Sequence, residues 1–402
     1  MKTHSLRHSL LALTALAAIT AYILACGTAF SPDDSKVLYT TINPRTGATG
    51  VAVYDRTTGR SQTILFPAFQ DLQTLKPGPA ILRPQWLPGG KDILAAWLGG
   101  NGTQKEDGLT LAVLPFGRTD PVKLFFLPEI KEPAQLLRHP LPIAGHFLFL
   151  TREGDSDTTS IIRLDLLTGE LRAQTNLPAH ILMSAPHGDG VIYLTAVPSD
   201  DERGEVGFLN PDTFARTPVF QMSADLPAPD FDDMKGFLAI SRDGKRLAFI
   251  DPSDGKSVCR VLQGGKLLKT LPLPGNESDM AFGNAQFAPG GDVLYASFMD
   301  GGVGETNASF GVLELPLDGG TFRRHTLVSG LGKVDDSAAL YFQLDVSKDG
   351  KTLAIASTYL AYEDTHKLKP ADCALFLLNL ADPQRAVTRV PVPLPPAEML
   401  SK

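Results

Sequence analysis

One phrase recurs along this chain: a small or polar turn, followed at once by a hydrophobic strand. The clearest copies are FSPDDSKVLYT from Phe30 to Thr40, WLPGGKDILAAW from Trp86 to Trp97, and ISRDGKRLAFI from Ile240 to Ile250. Phe287 to Phe298 and Val346 to Ser357 follow the same pattern, and Leu141 to Thr151 and Ala185 to Thr195 are weaker copies. The first hydrophobic residues after the turns are Val37, Ile93, Phe147, Val191, Leu247, Val293 and Leu353. The steps between them are 56, 54, 44, 56, 46 and 60 residues. A period of this size implies one supersecondary unit per repeat, stacked on its neighbours, and it constrains the architecture before any local reading does.

The unit is made of strands. The segments carry β-branched and aromatic residues bounded by Gly, Pro and Asp, with little 3.6-residue periodicity. The 37 Gly and 31 Pro punctuate turns and interrupt any long helix. The fifth unit reads as strand a (236–240), strand b (246–250), strand c (257–262) and strand d (266–273). Asp-Gly and Gly-Gly pairs join a to b and c to d, where the backbone needs positive φ. Four-stranded antiparallel sheets repeated radially leave only short, protected edges. The expected fold is all-β: one seven-bladed β-propeller of four-stranded antiparallel blades. A six-bladed closure that merges units 3 and 4 is the alternative, and the 44-residue step between Phe147 and Val191 argues against it.

The phrase resembles the WD40-like (PD40) repeat of TolB-type propellers, whose consensus is close to F-S-P-D-G-K-x-[IL]-A-F. Phe30-Ser31-Pro32-Asp33 matches its front half, Asp243-Gly244-Lys245-Arg246-Leu247-Ala248-Phe249 the rest, and Asp349 to Ile355 nearly so. The resemblance covers residues 28 to about 394 and is specific for architecture. It implies a propeller and, through TolB, a role in the cell envelope. Similar repeats occur in propellers of prolyl-oligopeptidase-like peptidases and in lactonase-like proteins. No Gly-x-Ser-x-Gly elbow of an α/β-hydrolase accompanies them here.

Residues 1–25 read as a lipoprotein-type signal peptide, with 26–402 as the single propeller domain. Lys2 and Arg7 open a charged start, an uncharged run follows, and Ile23-Leu24-Ala25-Cys26 resembles a bacterial lipobox. Cleavage after Ala29 and an uncleaved anchor are competing readings. The repeat favours cleavage before Cys26, because Gly27 to Phe30 must supply strand a of the first blade. Loss of that strand would leave its neighbour's backbone groups unpaired. Cys26 is then the lipidation site, and the protein is expected in the periplasm or on the outer membrane.

The connections differ in length. The a–b and c–d turns are minimal, whereas the b–c and d–a loops are long and leave from one rim. Long loops on a rigid scaffold more often bind. The rim's candidate residues are Asp155, Asp157, Asp200, Asp201, Asp232, Asp233, Tyr362, Glu363, Asp364 and His366. Their negative field favours basic partners or cations. The bland alternative is that acidic loops simply keep an exported protein soluble. The expected function is a non-catalytic scaffold that binds an envelope protein or a small ligand. The alternative is a lactonase-like or hydrolase-like enzyme with its site at the mouth of the central channel.

The formal net charge of −7 argues against a nucleic-acid partner. No cofactor is expected. The histidines lack zinc spacing. Gly154-Asp155-Ser156-Asp157 offers two oxygen ligands for calcium, without the Gly and distal Glu of a calcium loop. The carboxylate clusters have no sequence rule that would pair them across one catalytic site. Trp86 and Trp97 read as core residues. Cys259 and Cys373 fall in the third strands of blades that are not neighbours, so they read as buried, unpaired thiols.

Overall fold

The computed structural model describes residues 28–42, 49–65, 81–98, 108–118, 121–130, 141–143, 146–153, 158–177, 180–184, 191–196, 204–223, 238–251, 258–273, 280–300, 308–331, 344–357, 374–391 and 393. These residues form 28 strands and no helix. Blade 1 is β1 (Thr28–Phe30), β2 (Lys36–Ile42), β3 (Thr49–Asp55) and β4 (Arg60–Leu65). Blade 2 is β5 (Ile81–Trp86), β6 (Asp92–Leu98), β7 (Leu109–Pro115) and β8 (Lys123–Leu127). Blade 3 is β9 (Leu141–Ile143), β10 (Phe147–Glu153), β11 (Thr159–Asp165) and β12 (Leu171–Leu177). Blade 4 is β13 (His180–Ser184), β14 (Val191–Ala196), β15 (Glu205–Leu209) and β16 (Arg216–Gln221). Blade 5 is β17 (Leu238–Ile240), β18 (Arg246–Asp251), β19 (Val258–Gln263) and β20 (Lys266–Pro272). Blade 6 is β21 (Met280–Phe287), β22 (Val293–Asp300), β23 (Ala308–Pro316) and β24 (Arg323–Leu331). Blade 7 is β25 (Leu344–Val346), β26 (Thr352–Ser357), β27 (Ala374–Asn379) and β28 (Val387–Pro391).

Each blade is a separate four-stranded sheet paired in chain order, so the architecture is the seven-bladed propeller that the repeat predicts. Alternation along the strands sends successive side chains to opposite neighbours. In β2, Val37 and Tyr39 pack with Ala354, Ala356, Leu375 and Leu377 of blade 7, whereas Leu38 packs with Trp86, Ile93 and Trp97 of blade 2. One apolar core of this kind sits at each of the seven junctions. Fully burying one Leu or Phe contributes roughly 1.5–3 kcal/mol, so these junctions are the main favourable term. In blades 3 and 6 the first hydrophobic residue after the turn is one step out of phase. Phe147 and Val293 face the following blade, and Leu148 and Leu294 occupy the repeat position that faces the preceding one.

The a–b turns of blades 1, 5 and 7 are the same hydrogen-bonded bracket. Ser31, Ser241 and Ser347 each donate their hydroxyl to the carboxylate two residues on, Asp33, Asp243 or Asp349, at 2.6, 2.6 and 2.7 Å. Each serine oxygen also accepts the amide that opens strand b, at 2.8–2.9 Å. The Ser31 hydroxyl, with the Ser35 amide, holds the Asp33 carboxyl down at about 2. The next position needs positive φ: Gly244 has φ 68° and Gly350 φ 71°. Blade 1 places Asp34 there, at φ 58°.

This substitution closes the ring. The Asp34 carboxylate accepts the amides of Lys348 and Asp349 in blade 7 at 3.0 and 3.1 Å. Arg56 Nη2 donates to Thr352 Oγ1 at 2.7 Å, and Thr28 Oγ1 donates to the Ala354 carbonyl at 3.3 Å. Among the described residues, no strand is exchanged between blades 1 and 7. The seam is therefore held by side chains. Asp34→Gly restores the repeat consensus and relieves a left-handed conformation that costs a residue with a Cβ about 1–2 kcal/mol. It also removes two charge-assisted hydrogen bonds, each worth roughly 1.5–3 kcal/mol. Both bonds are exposed, so the lower end of that range applies, and we expect a net loss of about 1–2 kcal/mol by urea unfolding. A variant more stable than the parent would show that the clasp contributes nothing.

Candidate functional site

The two ends of the ring are built differently. At the turn end, side chains satisfy the turns themselves. Asp55, Asp165, Asn210 and Asn379 each accept backbone amides two or three residues on, at 2.7–3.2 Å. The Thr57 hydroxyl and the Thr57 and Thr58 amides draw the Asp55 carboxyl below its ordinary range. The cations at this end link blade to blade. Lys123 reaches the Leu166 carbonyl at 2.8 Å, Arg163 the Pro211 carbonyl at 2.7 Å, and Lys269 the Leu317 carbonyl at 3.1 Å. Arg246 donates to the Gly291 carbonyl. Arg163 is buried and lies 4.4 Å over the Phe147 ring, a desolvated cation–π contact.

The strongest of these links joins blades 6 and 7. Glu314, in β23, has only 5% of its side chain exposed. Arg385 grips it from the c–d turn of blade 7, with Nη2 to Oε1 at 2.7 Å and Nε to Oε2 at 3.0 Å. His325 Nε2 lies 3.2 Å from the same Oε2. Burial opposes the charged carboxylate, but the bonds from His325 and Arg385 outweigh it and hold Glu314 down at about 2. Burial and the neighbouring Glu314 charge push the Tyr295 phenol up to about 12.

The opposite end is where strands b finish and strands c begin. Two brackets stand there at the feet of b–c connections. In blade 6, Arg324 lies 4.6 Å over the Phe298 ring and reaches Asp300 Oδ2 at 2.6 Å and Ser309 Oγ at 3.0 Å. Gly311 pairs with Phe298, and a Cβ there would lie 2.8 Å from the ring. Blade 4 repeats the plan. Gly207 pairs with Tyr193, whose hydroxyl donates to Glu205 Oε1 at 2.5 Å, while Arg216 lies 5.9 Å over the tyrosine ring. About a third of the Arg324 and Asp300 side chains is exposed (34% and 31%), so this pair remains accessible.

At the axis, Asp345 of β25 ties three blades together. Its carboxylate accepts the Phe30 amide of blade 1 at 2.8 Å and Gln286 Nε2 of blade 6 at 3.1 Å. The equivalent strands of blades 1 and 5 carry Ala29 and Ala239 there.

The predicted rim residues Asp155, Asp157, Asp200, Asp201, Asp232, Asp233, Tyr362, Glu363, Asp364 and His366 lie outside the described residues, as do Cys26, Cys373 and the whole expected signal segment. Among the described residues no group of three His, Cys, Asp or Glu could hold a metal ion. His146 sits in a turn against Phe147 and 4.0 Å from Asp165. Trp86 and Trp97 pack in the junction of blades 1 and 2, as expected, and Trp86 Nε1 donates to the Ala29 carbonyl at 3.2 Å. Cys259 is a buried free thiol whose ionisation burial opposes. Sequence reasoning missed Asp34, Asp345, Glu314 and Arg324. Two left a signal: Asp34 replaces the consensus Gly, and Asp345 puts a charge in an apolar innermost strand.

No protein-family model matches the sequence, and no curated protein matches it. Solved structures do. Kluyveromyces lactis Hsv2 is 14% identical, with a TM-score of 0.50 over 91% of this chain and 98% of that one. A prolyl endopeptidase is 16% identical, with a TM-score of 0.49, and matches 83% of this chain. TolB from Acinetobacter baumannii is 15% identical, with a TM-score of 0.43 over 75% of this chain. The chain spans 47% of the length of the peptidase and 65% of that of TolB. At these identities the likeness reaches no further than the fold, and the strand pairing itself shows that fold to be a seven-bladed β-propeller.

Proposed function

We propose that the protein is an exported scaffold, anchored through a lipid on Cys26, which binds a partner at its long-loop rim and performs no catalysis. One observation carries this reading: the acid excess lies in the segments that connect the strands and not in the strands and turns themselves. The described residues hold 23 Lys and Arg against 19 Asp and Glu, whereas the whole chain holds 37 against 44. The excess acid therefore belongs to the segments between the described strands. Those segments include the b–c and d–a connections, while the turn end uses its polar groups to bond itself. An acidic rim favours a basic partner and speeds its encounter, with an effect that weakens as salt rises. β1 begins at Thr28 on the rim end, so a lipid on Cys26 would hold that end near the bilayer.

The test is retention of envelope proteins from a detergent extract on the full-length protein. A variant with Asp200, Asp201, Asp232, Asp233, Glu363 and Asp364 changed to Asn or Gln serves as control. The proposal expects a specific protein held by the parent and lost by the variant. Retention of nothing by either, together with turnover of a lactone or ester, would overturn it in favour of an enzyme at the channel mouth.

A further inference from the structure

Tyr39 and Tyr193 hold the same position in blades 1 and 4, two residues past Val37 and Val191, yet their hydroxyls end differently. Each tyrosine faces a small residue on strand c, Ala52 for Tyr39 and Gly207 for Tyr193. In both blades the pairing of strands c and d shifts register beside that small residue. The Tyr193 hydroxyl donates to Glu205 at 2.5 Å. Blade 1 has Gly50 where blade 4 has Glu205, so the Tyr39 hydroxyl finds no carboxylate. Tyr39 is fully buried, and burial pushes its phenol up, while the neighbouring Ser61 hydroxyl opposes the shift.

Three unpaired oxygens share this place. Tyr39 Oη, Ser61 Oγ and Thr63 Oγ1 are each shielded from solvent and make no hydrogen bond among the described residues. Thr63 lies beside Ala52 in the row of Tyr39, and Ser61 lies beside Tyr54 in the next row. All three side chains therefore leave the same face of the sheet. That face meets blade 7, where Ala354, Ala356, Leu375, Leu377 and Val390 offer no polar side chain. A buried hydroxyl without a partner is costly, and native proteins leave few of them.

The opposing surface is cut back. β26 turns Ala354 and Ala356 toward blade 1. The strands b of the other blades each bring a larger side chain to the following blade: Leu38, Leu94, Phe149, Ile192, Ile250 and Tyr295.

We propose that Tyr39, Ser61 and Thr63 bind one buried water molecule in the junction between blades 7 and 1. A buried water needs space and two to four polar partners, and this site supplies three. The phenol donates to the water, and the two hydroxyls, which donate or accept, complete its shell. The seam that closes the ring thus holds a solvent molecule as a structural part, in place of the carboxylate that Glu205 supplies in blade 4.

Tyr39→Phe separates this account from a dry junction, because it removes one oxygen and keeps the ring. With the water bound, the change takes away one of its partners, and the folding equilibrium constant should fall about three- to tenfold in urea unfolding. In a dry junction the same change deletes an unpaired buried group and raises stability. Thr63→Val, close in shape to the parent, reads the same difference should Tyr39→Phe not fold. A crystal structure of the parent should show one water about 2.6–3.0 Å from all three oxygens, and that of Tyr39→Phe should lose it. Unchanged or raised stability in these variants would overturn the proposal. So would a parent structure in which the three hydroxyls bond to one another with no water between them.

Discussion

Gly265→Ala is expected to destabilise the protein by more than about 3 kcal/mol, whereas Gly264→Ala, one residue earlier, is expected to cost only about 1 kcal/mol. Both glycines have positive φ, 80° and 57°, so both substitutions meet the left-handed penalty. Their surroundings differ. A Cβ at Gly264 meets nothing within 4 Å. A Cβ at Gly265 would run into the Gln221 carbonyl and lie 3.3 Å from the Phe220 ring. The Ser223 amide donates to the Gly265 carbonyl at 2.9 Å, which locks the last strand of blade 4 against the c–d turn of blade 5. Relief would therefore require two blades to separate, and a packed junction resists that. Urea unfolding of the two variants measures the difference. Equal costs would mean that blades 4 and 5 are not in this contact.

Glu314→Ala should cost about 3–5 kcal/mol, because it leaves the Arg385 guanidinium part-buried without its carboxylate. The pH dependence follows from the depressed carboxyl, near 2 in the folded protein against an ordinary 4.5. A carboxyl depressed on folding contributes stability in full above its unfolded value and loses it as the pH falls toward its folded value. The parent should therefore lose melting temperature between about pH 5 and pH 2, and Glu314→Gln should flatten that slope while lowering stability at neutral pH. An unchanged acid slope in Glu314→Gln would place the sensitivity elsewhere.

The repeat made the fold legible because a blade's needs are local. Val37, Ile93, Val191, Leu247 and Leu353 all enter the core facing the preceding blade, and Asp-Gly and Gly-Gly turns fall where positive φ is required. Blades 3 and 6 slipped by one residue because Phe147 and Val293 are hydrophobic on both counts, and only packing against a neighbour distinguishes their face. The links between blades were less legible. Glu314 and Arg385 are 71 residues apart, and nothing local marks them as partners. Asp34 and Asp345 were visible as departures from the repeat, yet their meaning depends on blade 7 meeting blade 1. The rim residues were chosen from loop length and charge alone. Those are properties of segments, so they select an end of the ring without arranging a site on it.

The ring closes between blades 7 and 1 through side chains, with no strand shared among the described residues. Hydrogen exchange at the amides of Phe30, Lys348 and Asp349 tests this most directly, since these amides donate to Asp345 and Asp34 across the seam. A closed ring predicts slow exchange at all three, with Asp345→Ala releasing Phe30 and Asp34→Gly releasing Lys348 and Asp349. Exchange in the parent as fast as in an unfolded chain would contradict closure, and with it the division of the molecule into a self-bonded turn end and a binding rim.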